Sequence, residues 1–329
     1  MNKKIIFSTT GIIAVIALLL AYLLGWFDAD EPRSDNTESE PERFYSQLTG
    51  EEVEESKSQR PILATVIENS PAARPQYGLD AAGWVYEVPT EGGVTRMLAF
   101  YQEDMPQTIG PIRSLRPYMA DWVAGFDASI AHVGGSGEAL QQVERQDIRT
   151  LDELQYGNSY RRDPNRQAPH NMFADTQDLR DLQEELGHEG SEFSTFERRE
   201  EGDKLDKEEQ VDTITIDYST QEYQAEFTYN SDDNRYERRL AGADHIDAAT
   251  DEVISAHNVI VVYTDREPTT AEGGGEAVLF RDGRALTAEW NKSDNRERMQ
   301  FLDEEGQELA LNRGATWVAA VPRDRSVEY

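Results

Sequence analysis

No cysteine occurs among the 329 residues. That absence excludes disulfides, thiolate metal sites, a cysteine nucleophile and lipid attachment through an N-terminal cysteine. Basic residues are also scarce: 32 Lys and Arg stand against 64 Asp and Glu, a formal net charge of −32. A surface this negative repels phosphate backbones, so no nucleic-acid partner is expected, and a solvated acidic surface is the plain reading. Five histidines are present. None stands in the H-E-x-x-H spacing that puts two ligands on one helical face, so neither a metal nor a cofactor is expected. The turn "HVGGSGEAL" is not a nucleophile elbow, because Glu138 holds the last glycine position, and it lacks the Gly-Lys-Ser/Thr end of a P-loop.

Two further absences are local. Residues 5–27 carry no charge, and residues 105–120 carry no acid. At about 1.5 Å rise per residue, a helix of the first length crosses a hydrocarbon core of about 30 Å. Lys3 and Lys4 precede it, Trp26 and Phe27 close it, and Asp28, Asp30 and Glu31 follow. The positive-inside rule then predicts a single-pass signal anchor in the cell membrane, N-terminus cytoplasmic and bulk extracellular. The competing reading is a cleaved signal peptide; against it stand the length of the run and the lack of a small-x-small cleavage site. Residues 28–58, rich in Glu, Asp and Ser, are expected to be a disordered acidic spacer.

From residue 59 the pattern changes. "PILATVIEN", "WVYEVPTEGG" and "VTRMLAFYQ" read as strands, the last two antiparallel because their connection is so short. Ser114 is placed as the cap of a helix running to about Gly125, "ASIAHV" as a strand, and "ADTQDLRDLQEELG" as an amphipathic helix closed by Gly187. A charged connector over 191–210 leads to short alternating runs over 211–329, with Asp282-Gly283 as a strong hairpin signal. The fold class is α+β: an N-terminal transmembrane helix (1–27 with its cytoplasmic end), a mixed α/β sheet domain over 59–190, and a β-rich C-terminal domain over 211–329 whose strands could join the first sheet.

Four constellations carry chemistry. Glu87 and Glu91 flank a turn before Arg96, a pair suited to acid/base work if their environments differ, or to plain ion pairing. Arg113, Ser114 and Arg116 lie in the acid-free "GPIRSLRP", where free N–H groups at a helix start would hold an anion; internal salt bridges are the alternative. Ser136 stands in the glycine turn after His132, as anion cradle or helix cap. "YRRDPNRQAPHNMF" places three arginines and His170 in a loop. His245 and His257 are expected in core or surface roles.

"RPILATVIENSPAARPQYGLDAAGWVYEVPTEGGVTRMLAFYQ", "IGPIRSLRPY", "AHVGGS" and "APHN", taken in order, resemble the YerB-like family of Gram-positive envelope lipoproteins, a family of unknown function with its own C-terminal family domain. The likeness continues through "NVIVVYTD", "AVLFRDGRALTAEW" and "NRGATWVAAVP". It implies an extracytoplasmic, membrane-attached protein and carries no activity. The family's polar signature falls on Asn69, Arg74, Gln76, Glu87, Glu91, Arg96, Arg113, Ser114, Arg116, His132, Ser136, His170 and Asn171. With no cysteine, attachment here would rest on the helix over 5–27.

Two functions follow as expectations. The first is an envelope binding or scaffold protein with an arginine-lined anion pocket, its partner an anionic wall polymer, a peptide carboxylate or an envelope protein. The second is a wall-acting hydrolase using Glu87, Glu91 and His170.

Overall fold

Unbroken apolar and β-branched runs build the centre of the molecule. In the computed structural model, which describes residues 42–202, 210–265 and 271–329 with Tyr22 alone before them, strands β1 (Leu63–Glu68), β2 (Trp84–Pro89) and β3 (Thr95–Tyr101) are buried at every position. Runs like these, without polar alternation, belong to strands covered on both faces. β4 (Ser129–His132) and β5 (Thr150–Asp152) extend the sheet at one side. The later residues supply β9 (Asn258–Thr264), β10 (Gly273–Arg281), β11 (Arg284–Lys292), β12 (Gln300–Leu302) and β13 (Thr316–Pro322). The ten strands form one mixed sheet in the order β12-β11-β10-β9-β13-β2-β3-β1-β4-β5. Its two halves meet where β13 runs parallel to β2, with Ala319 opposite Glu87.

Between these groups, β6 (Thr213–Asp217), β7 (Gln224–Asn230) and β8 (Arg235–Leu240) alternate buried and open residues, as a sheet with one wet face does. With β14 (Val327–Glu328) beside β6, they form a second sheet. Its inner residues Ile214, Ile216, Phe227 and Tyr236 share a core with Val85, Val259 and Trp317 of the large sheet, and with Leu179 and Leu182 of helix α3 (Thr176–Glu185). Helices α1 (Pro117–Ala124) and α2 (Gly137–Gln146) contribute to the other core, where Tyr86 stacks on Trp122 at 4.5 Å and Trp84 on Phe196 at 4.3 Å. The β10–β11 turn places Asp282 and Gly283 at φ 52° and 69°, the left-handed pair that a two-residue hairpin requires.

Residues Arg43–Tyr329 form one compact unit, and the sheets belong to it. The anchor expected over 5–27 and most of the spacer lie outside the described residues. No described helix is long and apolar enough to cross a membrane.

Two expectations are corrected. Residues 43–58 are folded: Phe44–Tyr45 pairs antiparallel with Glu52–Val53, and Glu55–Ser58 makes one helical turn. Leu48 is fully buried, and the Ser46 hydroxyl donates to Glu103 at 2.9 Å. Acid-rich composition hides this because the holding contacts come from residues far along the chain, such as Gly83 and Glu103. The second correction concerns the helix start, which is at Pro117 and not near Ser114. A residue preceding proline disfavours helical backbone, so Arg116 is extended at φ −123°, ψ 156° and serves as the N-cap. Ser114 instead lies in a stretch bonded on one side to β1 (Arg113 N–H to Val66 O, 2.8 Å) and on the other to the turn after β4 (Leu115 N–H to Gly134 O, 3.0 Å).

Candidate functional site

That stretch brings the three expected arginines together. β3 carries Arg96, and the segment leading into α1 carries Arg113 and Arg116. Arg116 is a fork closed on a fork: Nε and Nη2 donate to Glu91 Oε1 and Oε2 at 2.5 and 2.9 Å. These bonds hold the Glu91 carboxyl below its usual range. Glu91 opens a Gly-Gly turn and remains 62% exposed. Arg113 faces Glu68 with 3.4 Å between Nε and Oε2, too poorly aligned for a hydrogen bond, so both atoms are buried and unsatisfied.

Arg96 differs. It is 8% exposed, and its Nη1 donates to Ser114 O at 2.9 Å. No carboxylate pairs with it among the described residues, and its Nε–Nη2 edge meets no acceptor there. Burial, and next the Arg116 guanidinium, push it down to about 10. Arg298 provides the contrast, a buried guanidinium closed by Glu308 and by backbone carbonyls. Cations at a helix N-terminus also oppose the helix dipole, so Arg96 gains little from its surroundings and would gain from an anion. The sequence expectation of free helix-start N–H groups fits poorly, because Pro117 has none and the neighbouring glycine turn bonds its Gly134 and Ser136 N–H groups to Asp152 Oδ1 and Leu115 O.

His170 joins the cluster through Glu68, a residue missed from sequence. Glu68 is 4% exposed. Its Oε1 accepts from the Ser70 hydroxyl at 2.7 Å and lies 2.8 Å from His170 Nδ1. A carboxylate only accepts, so Nδ1 carries a proton; Nε2 meets no partner among the described residues.

Glu87 is elsewhere. It is fully buried and takes part in a closed ring. Its Oε2 accepts from Arg238 Nη2 at 2.7 Å, while its Oε1 accepts from Thr95 at 2.9 Å and from Asn69 Nδ2 at 3.1 Å. Arg238 also donates to His245 Nδ1; His245 Nε2 meets Gln76 Oε1 at 2.9 Å; and Gln76 Nε2 donates to Asn69 Oδ1 at 2.9 Å. The donor directions agree around the loop only if His245 is neutral and protonated on Nε2. Burial, then Arg238 and Arg74, hold its pKa well below the usual value, as this requires. The expectation that Glu87 could act as an acid or base therefore fails on access, since both oxygens are enclosed.

The other expected site residues serve the frame. Arg74 donates to Asn69 O at 2.9 Å and Glu222 O at 2.7 Å. His132 is fully buried, with Nδ1 donating to Gly134 O at 2.8 Å, and desolvation lowers its pKa. Ser136 caps α2, accepting from Ala139 N at 3.2 Å. Asn171 accepts from Arg162 at 2.9 Å and steadies the loop before His170. Among the described residues no group of three or more His, Asp or Glu is placed to hold a metal ion.

With this geometry in place, the comparisons define a class. The family described as protein of unknown function (DUF3048) matches through its N-terminal domain over residues 48–189 and through its C-terminal domain over 214–318. The chain belongs to this family. A relative from Bacillus subtilis (strain 168), named "Putative lipoprotein YerB", is 28% identical over 291 residues, which cover 85% of this chain and 87% of the relative. The crystal structure of the YerB protein from Bacillus subtilis superimposes with a TM-score of 0.77 at 27% identity, covering 87% of this chain and 100% of that one.

Proposed function

We propose that the chain is an envelope protein that binds a partner through an exposed anionic group, and that Arg96 receives it. The observation that carries this reading is a guanidinium 8% exposed whose Nε–Nη2 edge meets no acceptor among the described residues, with Arg113 and Arg116 beside it. A largely desolvated cation that no carboxylate bonds directly among the described residues costs free energy that a ligand carboxylate or phosphate recovers through short charge-assisted hydrogen bonds. The relative's description as a lipoprotein supports attachment to a membrane. Here the apolar stretch over 5–27 would replace the lipid, with the folded unit outside the cell. Protease added to intact protoplasts should then digest that unit, and full protection would overturn the topology.

The binding test compares wild type with Arg96→Lys and Arg96→Ala in co-sedimentation with purified anionic wall polymer and in calorimetry with small anions. The expected result is loss of binding in both variants, the lysine being a point charge that cannot present two parallel donors. Unchanged binding would remove Arg96 from the site. The hydrolase reading keeps one observation, the His170 ring oriented by Glu68. Release of soluble sugar or peptide from wall material by wild type, and not by His170→Ala, would favour it instead.

A further inference from the structure

The charge balance at the arginine cluster points to a ligand class. The groups that face one another are Arg96 of β3, Arg113 and Arg116 of the segment before α1, Glu91 of the Gly-Gly turn, and Glu68 at the end of β1. His170 adds no charge while neutral. Three guanidiniums and two carboxylates leave one positive charge, and Arg96 is the cation whose Nε–Nη2 edge meets no acceptor among the described residues. Resting on the binding reading above, we infer that the cluster selects a singly charged group with two oxygens in one plane, a phosphodiester or a carboxylate, over a doubly charged phosphate monoester, and that Glu91 sets this selectivity.

Glu91 is suited to that role. Its carboxylate fills the Arg116 fork with the bidentate geometry a ligand would use, at 2.5 and 2.9 Å. It is therefore a resident anion close enough to Arg96 to act on its charge. A ligand with one charge completes the balance. A ligand with two brings its second charge against Glu91. Arg116 cannot neutralise it without giving up Glu91, whose carboxyl it already holds below the usual range.

The test uses three probes that differ in charge and source: dimethyl phosphate, methyl phosphate and acetate, titrated calorimetrically into the full chain at about pH 8, where a phosphate monoester is dianionic. Wild type should bind dimethyl phosphate or acetate in preference to methyl phosphate. The difference between the first two identifies phosphodiester or carboxylate as the source. Glu91→Gln should raise methyl phosphate affinity at least about tenfold, the scale of one partly screened charge at this range, and reverse the order. Glu91→Gln combined with Arg116→Gln restores the single net positive charge and should restore the wild-type order. Thermal melting of each variant confirms that the fold is intact.

If no probe binds wild type, the binding reading falls and takes this inference with it. If Arg96→Lys abolishes binding but Glu91→Gln leaves the order unchanged, or the double variant fails to restore it, binding stands and the charge selectivity is wrong.

Discussion

At the scale of single residues, the pairing of Glu87 with Arg238 decides most. Both side chains are wholly buried, and the guanidinium also lies 4.7 Å over the Trp317 ring. A buried pair adds little over an apolar substitute, but breaking it strands a charge. Glu87→Gln and Arg238→Met should therefore each cost about 3–5 kcal/mol. The double change Glu87→Gln with Arg238→Met should cost clearly less than their sum. Urea unfolding of the four proteins measures this, and strict additivity would show that the two do not act as a pair. The partners are 151 positions apart. Nothing in "EVPTEGG" or "RYERRL" announces the other, so sequence could mark Glu87 as unusual but not say that its role is structural. Glu91, four residues later and also read as a candidate acid, is pulled by Arg116 to the surface cluster instead.

At the scale of elements, the hairpin over 43–58 is the piece whose role was inverted by composition. Leu48 and Thr49 close over Gly83, where an added Cβ would meet Thr49 Cγ2 at 2.6 Å and Leu48 Cδ2 at 2.9 Å. Thr49 donates to Glu103 at 2.5 Å, and Gln102 Nε2 donates to Ser58 O at 3.2 Å. A chain beginning at Ser58 should thus be less stable than one beginning at Asp28. Leu48→Ala alone should lose about 2–5 kcal/mol, the usual range for emptying a buried leucine site. Equal melting temperatures for the two truncations would show that the hairpin rests on the surface without supporting it. Gly83→Ala should also destabilise, because the incoming methyl must push the hairpin away.

At the scale of the whole molecule, buried histidines set the acid limit. Burial is the leading cause in each case: it lowers His132, holds His245 well below its usual value, and brings His257 to about 4. Asp152 opposes the shift at His132; Arg238 and Arg74 add to it at His245; Arg235 and Arg198 add to it at His257. As pH falls through about 6.5, the unfolded chain takes up these protons and the folded chain does not. Stability is therefore full above that value and declines toward the folded pKa values, by up to about 1.4 kcal/mol per pH unit for each histidine. Glu51 and Asp80, raised chiefly by burial, act in the opposite sense nearer their own range and soften the decline. Asp282 adds a later loss. Burial alone would raise it, but donation from Asn234, Asn312 and Arg199 holds it lower, so its contribution disappears only on further acidification. Melting temperature should fall between about pH 7.5 and pH 5.5. A flat or rising profile would mean that these rings are not buried in neutral form.

What the sequence determined by itself is whatever depends on neighbours along the chain. A buried strand came from the unbroken apolar run "LATVIE", the open-faced sheet from the alternation of "QAEFTYN", and the β10–β11 hairpin from Asp282-Gly283; "TWVAAVP", read among the alternating runs, is buried on both faces. The gathering of arginines near Pro117 was equally legible, because a stretch without acids in so acidic a chain is a local fact. Which guanidinium is left without a carboxylate partner among the described residues was decided only by the tertiary structure. Arg113, Arg116 and Arg96 are alike in sequence, and their difference comes from where β1, the Gly-Gly turn and the segment before α1 deliver Glu68, Glu91 and the Ser114 carbonyl. The joining of the two halves into one sheet through β13 and β2 has the same origin. Strand pairing satisfies backbone groups whose partners can lie anywhere in the chain, and no local pattern names them.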